Sequence, residues 1–248
     1  MSFVFDKGLL SDVFRIAIYG NSFRHSWKKG ATMTFKGNKI YFVNEARTAV
    51  MIYVSDGAQF PHVSIDVATF PDKLVPVKLV LLPTQYRLEF GEGGYLKRNT
   101  FPFAEDKSEL IEKVFNDEFS LDNNFEFSAE ILETLTKDVD LVKIEVTKEN
   151  FKMTQTPPDA VGSSENVWDF GSSSKGTMMK FMKQDLPDVH ASVIVATDEL
   201  KSLQILSGLL TLAIRDDKSR LCGKADMQVG ELIFMLSPFA FSYKKEGE

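Results

Sequence analysis

The 248-residue sequence has one cysteine, Cys222, and three histidines, His25, His62 and His190. A single cysteine excludes an internal disulfide and any multi-cysteine zinc site. Three histidines so dispersed suggest no metal cluster. Long apolar runs are missing too. The longest mostly apolar stretch, 203–214, carries Gln204, Ser207, Gly208 and Thr211, and a membrane-spanning helix needs ~20 apolar residues. The N-terminus, MSFVFDKGLL, lacks the charged start, apolar core and small-residue cleavage site of a signal peptide. The expectation is a soluble, intracellular protein with no membrane partner. Positive charge is not in excess: 29 Lys plus Arg stand against 35 Asp plus Glu, a net charge of -6. That excludes a protein coating nucleic acid with its whole surface, though not local basic patches. Catalytic signatures are lacking as well. Ser172-Ser173-Ser174 has no GxSxG elbow around it. Gly91-Glu92-Gly93-Gly94 lacks the Lys-Ser/Thr of a phosphate-binding loop and follows a strand without opening a helix. No catalytic residue, metal or cofactor is expected, and the chain reads as a non-enzyme.

What is present is a hydrophobic fraction of 44%, a charged fraction of 26% and 21 phenylalanines. The first two are ordinary for a globular protein, and the phenylalanines sit in short alternating segments that read as β-rich. The length allows one large domain or two ordinary ones. Residues 9–19 recur at helical spacing, with Asp6 placed to cap. A hairpin comes next, around Lys36-Gly37-Asn38-Lys39, then strands at 49–54 and 62–67, a short helix at 69–77, one or two strands at 79–90 and a strand at 95–103. Residues 104–124 are dominated by acidic charge and read as a connector. Beyond it a helix is expected at 128–138, with Ser128 as its cap, then a hairpin around Lys148-Glu149-Asn150 and strands at 166–170, 178–182 and 191–195. A helix at 198–206 and strands at 209–215, 219–227 and 231–236 complete the chain.

One segment recurs. HVSIDVAT at 62–69 matches HASVIVAT at 190–197, with His, Ser, Val, Ala and Thr at identical spacing and an offset of 128 residues. The order of elements is the same on both sides of the acidic stretch: helix, hairpin, further strands, this strand, a short helix, strands. Duplication of one α+β domain explains both the match and the order. The division expected is 1–104, a connector at 105–124, and 125–248. His62 and His190 then occupy equivalent positions, which points to a structural role for both.

Two tandem domains joined by an acidic connector resemble a DNA sliding clamp, the family of proliferating cell nuclear antigen and of some bacteriophage polymerase clamps. The sharpest local similarity is at 210–239, LTLAIRDDKSRLCGKADMQVGELIFMLSPF. It has an acidic turn at Asp216-Asp217, the tetrapeptide Lys224-Ala225-Asp226-Met227 and an ending at Leu236-Ser237-Pro238. The segment 128–153 resembles the opening of a clamp's second domain. The resemblance implies an α+β fold of two tandem clamp-like domains, each with antiparallel sheets and two helices. It implies a closed ring formed by oligomerisation, expected as a homotrimer because six such domains take three copies.

The same resemblance implies the partners and the sites. Duplex DNA would be held without sequence readout, by cations on and near the helices that line the hole: Arg15, Arg24, Lys28, Lys29, Lys73, Lys78, Lys137 and Lys201. A DNA polymerase and a clamp loader would dock through short peptide motifs into a pocket formed by Ala46, Thr48, Leu110, Ile111, Val114, Leu236, Pro238 and Phe239. The subunit interface would fall on edge strands near Thr100 to Phe103 and Val167 to Phe170, through Phe101, Phe103, Val167, Trp168 and Phe170. The function implied is that of a processivity factor that encircles duplex DNA and tethers the replicative polymerase, in the nucleus of a eukaryote or the cytoplasm of a prokaryotic or phage-infected cell. The alternatives are a subunit of a heterotrimeric checkpoint-type clamp, or a β-rich binding protein with no DNA role.

Overall fold

The computed structural model describes residues 1–22, 31–44, 47–92, 95–136, 139–148, 150–155, 166–169, 190–215 and 220–237. The first half holds β1 (Ser2–Val4), α1 (Lys7–Ser22), β2 (Thr32–Gly37), β3 (Lys39–Val43), β4 (Ala49–Ser55) and β5 (Phe60–Asp66). A 3-10 turn (Val67–Thr69), β6 (Val77–Leu81), β7 (Gln85–Glu92) and β8 (Tyr95–Pro102) come after it. Then comes α2 (Ser108–Glu118). The second half holds β9 (Phe125–Ser128), a 3-10 segment (Ala129–Thr134), β10 (Leu141–Thr147), β11 (Asn150–Gln155), β12 (Asn166–Asp169) and β13 (His190–Ala196). It ends with α3 (Thr197–Ser202), which runs into a 3-10 turn (Leu203–Ile205), then β14 (Leu209–Arg215), β15 (Arg220–Asp226) and β16 (Gly230–Leu236). The α+β class is as expected: every strand pairing described is antiparallel.

Local sequence explains most of these elements. In α1, Leu9, Val13, Ile16 and Ala17 recur at i, i+4, i+7 and i+8, and all four are buried. Asp6 accepts the Leu9 amide at 2.9 Å and so caps the first turn. The β2–β3 hairpin turns at Gly37, whose φ of 61° is cheap only for glycine. Two expected helices differ. The helix expected at 69–77 is only the 3-10 turn Val67–Thr69. Pro71 and Pro76 bracket the residues after that turn, and residues before proline avoid helical backbone. The helix expected at 128–138 is the shorter 3-10 segment. Phe125 to Ser128 are drawn into strand pairing with β14, and the Ser128 side chain makes no cap bond. Ile131, Leu132 and Leu135 are nevertheless buried as their spacing predicts.

The strands form three sheets, in the orders β1-β6-β7-β8, β12-β11-β10-β13 and β5-β2-β3-β4-β16-β15-β14-β9. The third is a composite. Its first four strands come from the first half and its last four from the second, joined by β4 and β16 in register from Ala49 opposite Leu236 to Ser55 opposite Gly230. A Cβ on Gly230 would sit 2.3 Å from the Val54 carbonyl oxygen, so the close approach of these two strands requires glycine there. The halves correspond strand for strand: β1-β6-β7-β8 matches β9-β14-β15-β16, and β5-β2-β3-β4 matches β13-β10-β11-β12. The repeated octapeptide maps onto β5 with its 3-10 turn and onto β13 with the start of α3. The large core lies between the sheets and the helices and joins both halves.

Across that junction, Asp12 of α1 is fully buried. Its carboxylate accepts the backbone amides of Gln228 and Val229, both at 2.8 Å, in the turn between β15 and β16. The Tyr53 hydroxyl lies 3.1 Å from the same carboxylate. Burial first, and then the Asp12 charge, push the Tyr53 hydroxyl well above its ordinary pKa. The phenol therefore stays protonated and able to donate.

Candidate interaction surfaces

The helices α1 and α3 and the 3-10 segments form one layer of the molecule, in which α1 packs on α3 and on the 3-10 turn after it. This layer was the expected home of the DNA-facing cations. Among the described residues its helices and 3-10 segments carry three cations, the expected Arg15 and Lys201 and also Lys7, against Asp12, Glu130, Glu133, Asp198 and Glu199. Two of the three are engaged within the chain. Arg15 Nη1 donates to the Leu206 carbonyl at 3.2 Å, tying α1 to the second half. Lys201 Nζ donates to the Glu133 carbonyl at 2.7 Å and to that of Leu135, closing the end of the 3-10 segment. Lys73 is exposed in the stretch between Pro71 and Pro76, outside any helix. Lys78 lies on β6 with its ammonium 4.0 Å from Glu89. Its neighbours Val77 and Leu79 point into the core, so strand alternation turns Lys78 to the sheet face away from the helices. Arg87 and Arg98 also meet Glu89 there, at 2.9 and 3.5 Å. Arg24, Lys28, Lys29 and Lys137 lie outside the described residues.

The connector is a helix, which its acidic composition concealed. Along α2, Ile111 and Phe115 are four residues apart and buried, Val114 is half-buried and Leu110 is 43% exposed. The helix lies on the face of the composite sheet that looks away from α1, over a separate apolar cluster of Tyr41, Val43, Val50, Ile52, Cys222 and Met235. Polar contacts hold it. Asp106 accepts the Ser108 amide at 2.8 Å and pairs with His62 at 2.6 Å. Glu112 accepts from the Tyr41 hydroxyl and lies 3.5 Å from Lys39. Glu118 pairs with Arg220 of β15. The Tyr41 hydrogen bond, with Lys39 behind it, holds the Glu112 carboxyl below its ordinary pKa against a desolvation cost. Asp106 is desolvated too, but the Ser108 and His62 contacts outweigh this and lower its pKa.

Of the expected pocket residues, Ile111 and Val114 belong to this cluster. Leu236 is fully buried in the main core, on the opposite face of β16. Alternation puts its neighbour Met235 on the α2 side. Thr48 is bound elsewhere: its hydroxyl contacts Glu199 of α3 and accepts from Asn44 at 2.9 Å. Ala46, Pro238 and Phe239 lie outside the described residues. Tyr41, Val50, Phe115 and Met235 were not anticipated. The helical spacing of Ile111, Val114 and Phe115 was the available signal.

Among the described residues six strands end the three sheets, and two of these are β8 and β12. They are the segments expected at the subunit interface. Phe101 is half-buried against Tyr86, with ring centroids 5.6 Å apart. Phe103, just past β8, stacks on the same ring at 6.2 Å and remains 41% exposed. Val167 is 43% exposed and Trp168 packs against the core. Phe170 lies outside the described residues. On β8, Tyr95 and Leu96 are exposed at 83% and 54%.

Compared by sequence, the chain matches no protein-family model and no curated protein. Compared by structure, it is similar to proliferating cellular nuclear antigen from Entamoeba histolytica, with a TM-score of 0.64 at 13% identity, over 93% of this chain and 96% of that one. It is similar to the PCNA2–PCNA3 complex of Sulfolobus tokodaii, with a TM-score of 0.62 at 13% identity, over 97% of this chain and 100% of that one. It is similar to a putative DNA polymerase III beta subunit from Eubacterium rectale, with a TM-score of 0.63 at 15% identity, over 97% of this chain and 66% of that one. Identities this low speak to architecture alone, and that architecture, along nearly its whole length, is the sliding-clamp fold.

Proposed function

We propose that the protein is a ring-forming sliding clamp that encircles duplex DNA and tethers a polymerase, acting by topology and not by chemistry. The observation that carries this reading is the correspondence between the halves. Inside the chain, β4 of one half pairs with β16 of the other. The strands equivalent to these, β12 and β8, each end a sheet among the described residues. A head-to-tail contact between copies repeats the joint already made within the chain, and such contacts close when the rotation per copy fits. Three copies of a two-domain chain, divided at 1–104, 105–124 and 125–248, are the form proposed. DNA is held through its phosphates by loosely placed cations, and a tethering ring needs few of them. The peptide site for polymerase and loader is proposed around α2, where Leu110 and Val114 rim the apolar cluster.

The test has two parts. Light scattering on the purified chain should give three times 28.0 kDa, about 84 kDa. Primer extension by a cognate polymerase should lengthen when the ring has been loaded. A monomer with no partner subunit, or product lengths unchanged by the protein, would overturn the proposal. A trimer assembled only with two different partner chains would instead support the heterotrimeric form.

A further inference from the structure

Resting on the ring reading, the register of the contact between copies can be derived from the chain's own internal joint. Two anchors set the correspondence between halves. The repeated octapeptide places Ile65 of β5 at the position of Val193 of β13. Across the pairings, the row Ile65, Met33, Phe42, Met51 matches the row Val193, Ile144, Met153, Trp168. The second anchor is the pair of first strands. Phe3 and Phe5 precede α1 as Phe125 and Phe127 precede the 3-10 segment, with Asp6 and Ser128 each at the next N-cap position. Across those pairings, the row Phe3, Leu79, Leu88, Asn99 matches the row Phe125, Leu212, Gly223, Phe234. Within the chain, Met51 stands opposite Phe234. Their equivalents are Trp168 and Asn99.

We infer that β12 of one copy pairs antiparallel with β8 of the next, with Asn166 opposite Phe101, Val167 opposite Thr100, Trp168 opposite Asn99 and Asp169 opposite Arg98. The two joints differ in chemistry. On the core side of β16 the internal joint presents Leu232, Phe234 and Leu236, all fully buried. At the equivalent places β8 presents Lys97, Asn99 and Phe101. The contact between copies is therefore the more polar and the weaker one, and it is the place where the ring parts. The basic pair Lys97-Arg98 also sets polarity. Two β8 edges laid against each other bring like charges together, which is destabilising, whereas β12 has an acidic residue, Asp169, at the register position opposite Arg98.

Paired cysteines test the register, because only residues directly opposite meet disulfide geometry. Adjacent cross-strand pairs alternate between the wider and the closer kind, so two neighbouring pairs are used: Thr100→Cys with Val167→Cys, and Asn99→Cys with Trp168→Cys. A copper–phenanthroline oxidant should give a covalent ladder ending at the trimer for at least one pair. Wild type, with only the buried Cys222, and the offset pair Leu96→Cys with Val167→Cys should give none. Independently, Arg98→Glu should raise the dissociation constant between copies about tenfold or more, and adding Asp169→Arg should restore it. A wild-type trimer that cross-links only at the offset pair, or is indifferent to Arg98→Glu, overturns the register and leaves the ring. A wild-type monomer overturns both.

Discussion

Single side chains in this protein are decided by which face of an element they occupy. Lys78 and Leu79 are neighbours in sequence, yet one sits beside Glu89 at the surface and the other in the core. Leu236 and Met235 divide in the same way between the two apolar clusters. Strand periodicity made such alternation legible, but which face met the helices was not. Arg15 and Lys201 were legible as helical cations, but the carbonyls they bind come from segments 191 and 66 or 68 residues away. Asp12 had no signal at all: it is an ordinary polar residue in an amphipathic helix until the fold buries it. With two amides depending on it, Asp12→Ala should lower stability by about 3 kcal/mol, since hydrogen bonds to a charged group are strong and orphaned buried donors are costly. Urea unfolding should show a lower midpoint with an unchanged slope. A loss below about 1 kcal/mol would mean that the two amides find other acceptors.

Among elements, α2 shows how composition hides structure. Its acidic residues suggested a solvated connector, although Ile111, Val114 and Phe115 already stood at helical spacing. Two buried apolar side chains and a few half-exposed ion pairs attach it to a sheet that is complete without it, and such a helix opens locally at modest cost. Glu112 and Asp106 are both held below their ordinary carboxyl values. Groups depressed in this way stabilise the docked helix above their ordinary pKa, and that contribution is lost as the pH falls through the folded values. Docking of α2 should therefore be full at neutral pH and weaken below about pH 4, with its amides exchanging before those of β3 and β4. At neutral pH, Glu112→Gln with Glu118→Gln should speed maleimide labelling of Cys222, the buried thiol in the cluster that α2 covers, with little change in global unfolding. If labelling instead tracks global unfolding in both proteins, α2 does not open as a unit.

At the scale of the molecule, the joint within the chain and the one proposed between copies should carry different loads. The joint of β4 with β16 is lined by fully buried Met51, Tyr53, Phe234 and Leu236, and it should part only when the chain unfolds. The proposed joint between copies is more polar and should part first. Dilution or added salt should then dissociate the assembly while near-ultraviolet circular dichroism stays unchanged, because exposed charge pairs are screened. Coincident loss of mass and dichroism would show that the copies cannot fold apart.

The sequence by itself determined the α+β class, most strand positions, the first helix with its cap, and the duplication, because these rest on periodicity, turn chemistry and a repeat that neighbouring residues carry. The resemblance to clamps at 210–239 was legible for the same reason. Only the tertiary structure decided that β4 and β16 join the halves, that β8 and β12 end their sheets, and that the connector is a helix over an apolar face. Those outcomes depend on which distant backbone edges meet and which side of a sheet another element covers, and no local pattern encodes a pairing between residues nearly 200 positions apart.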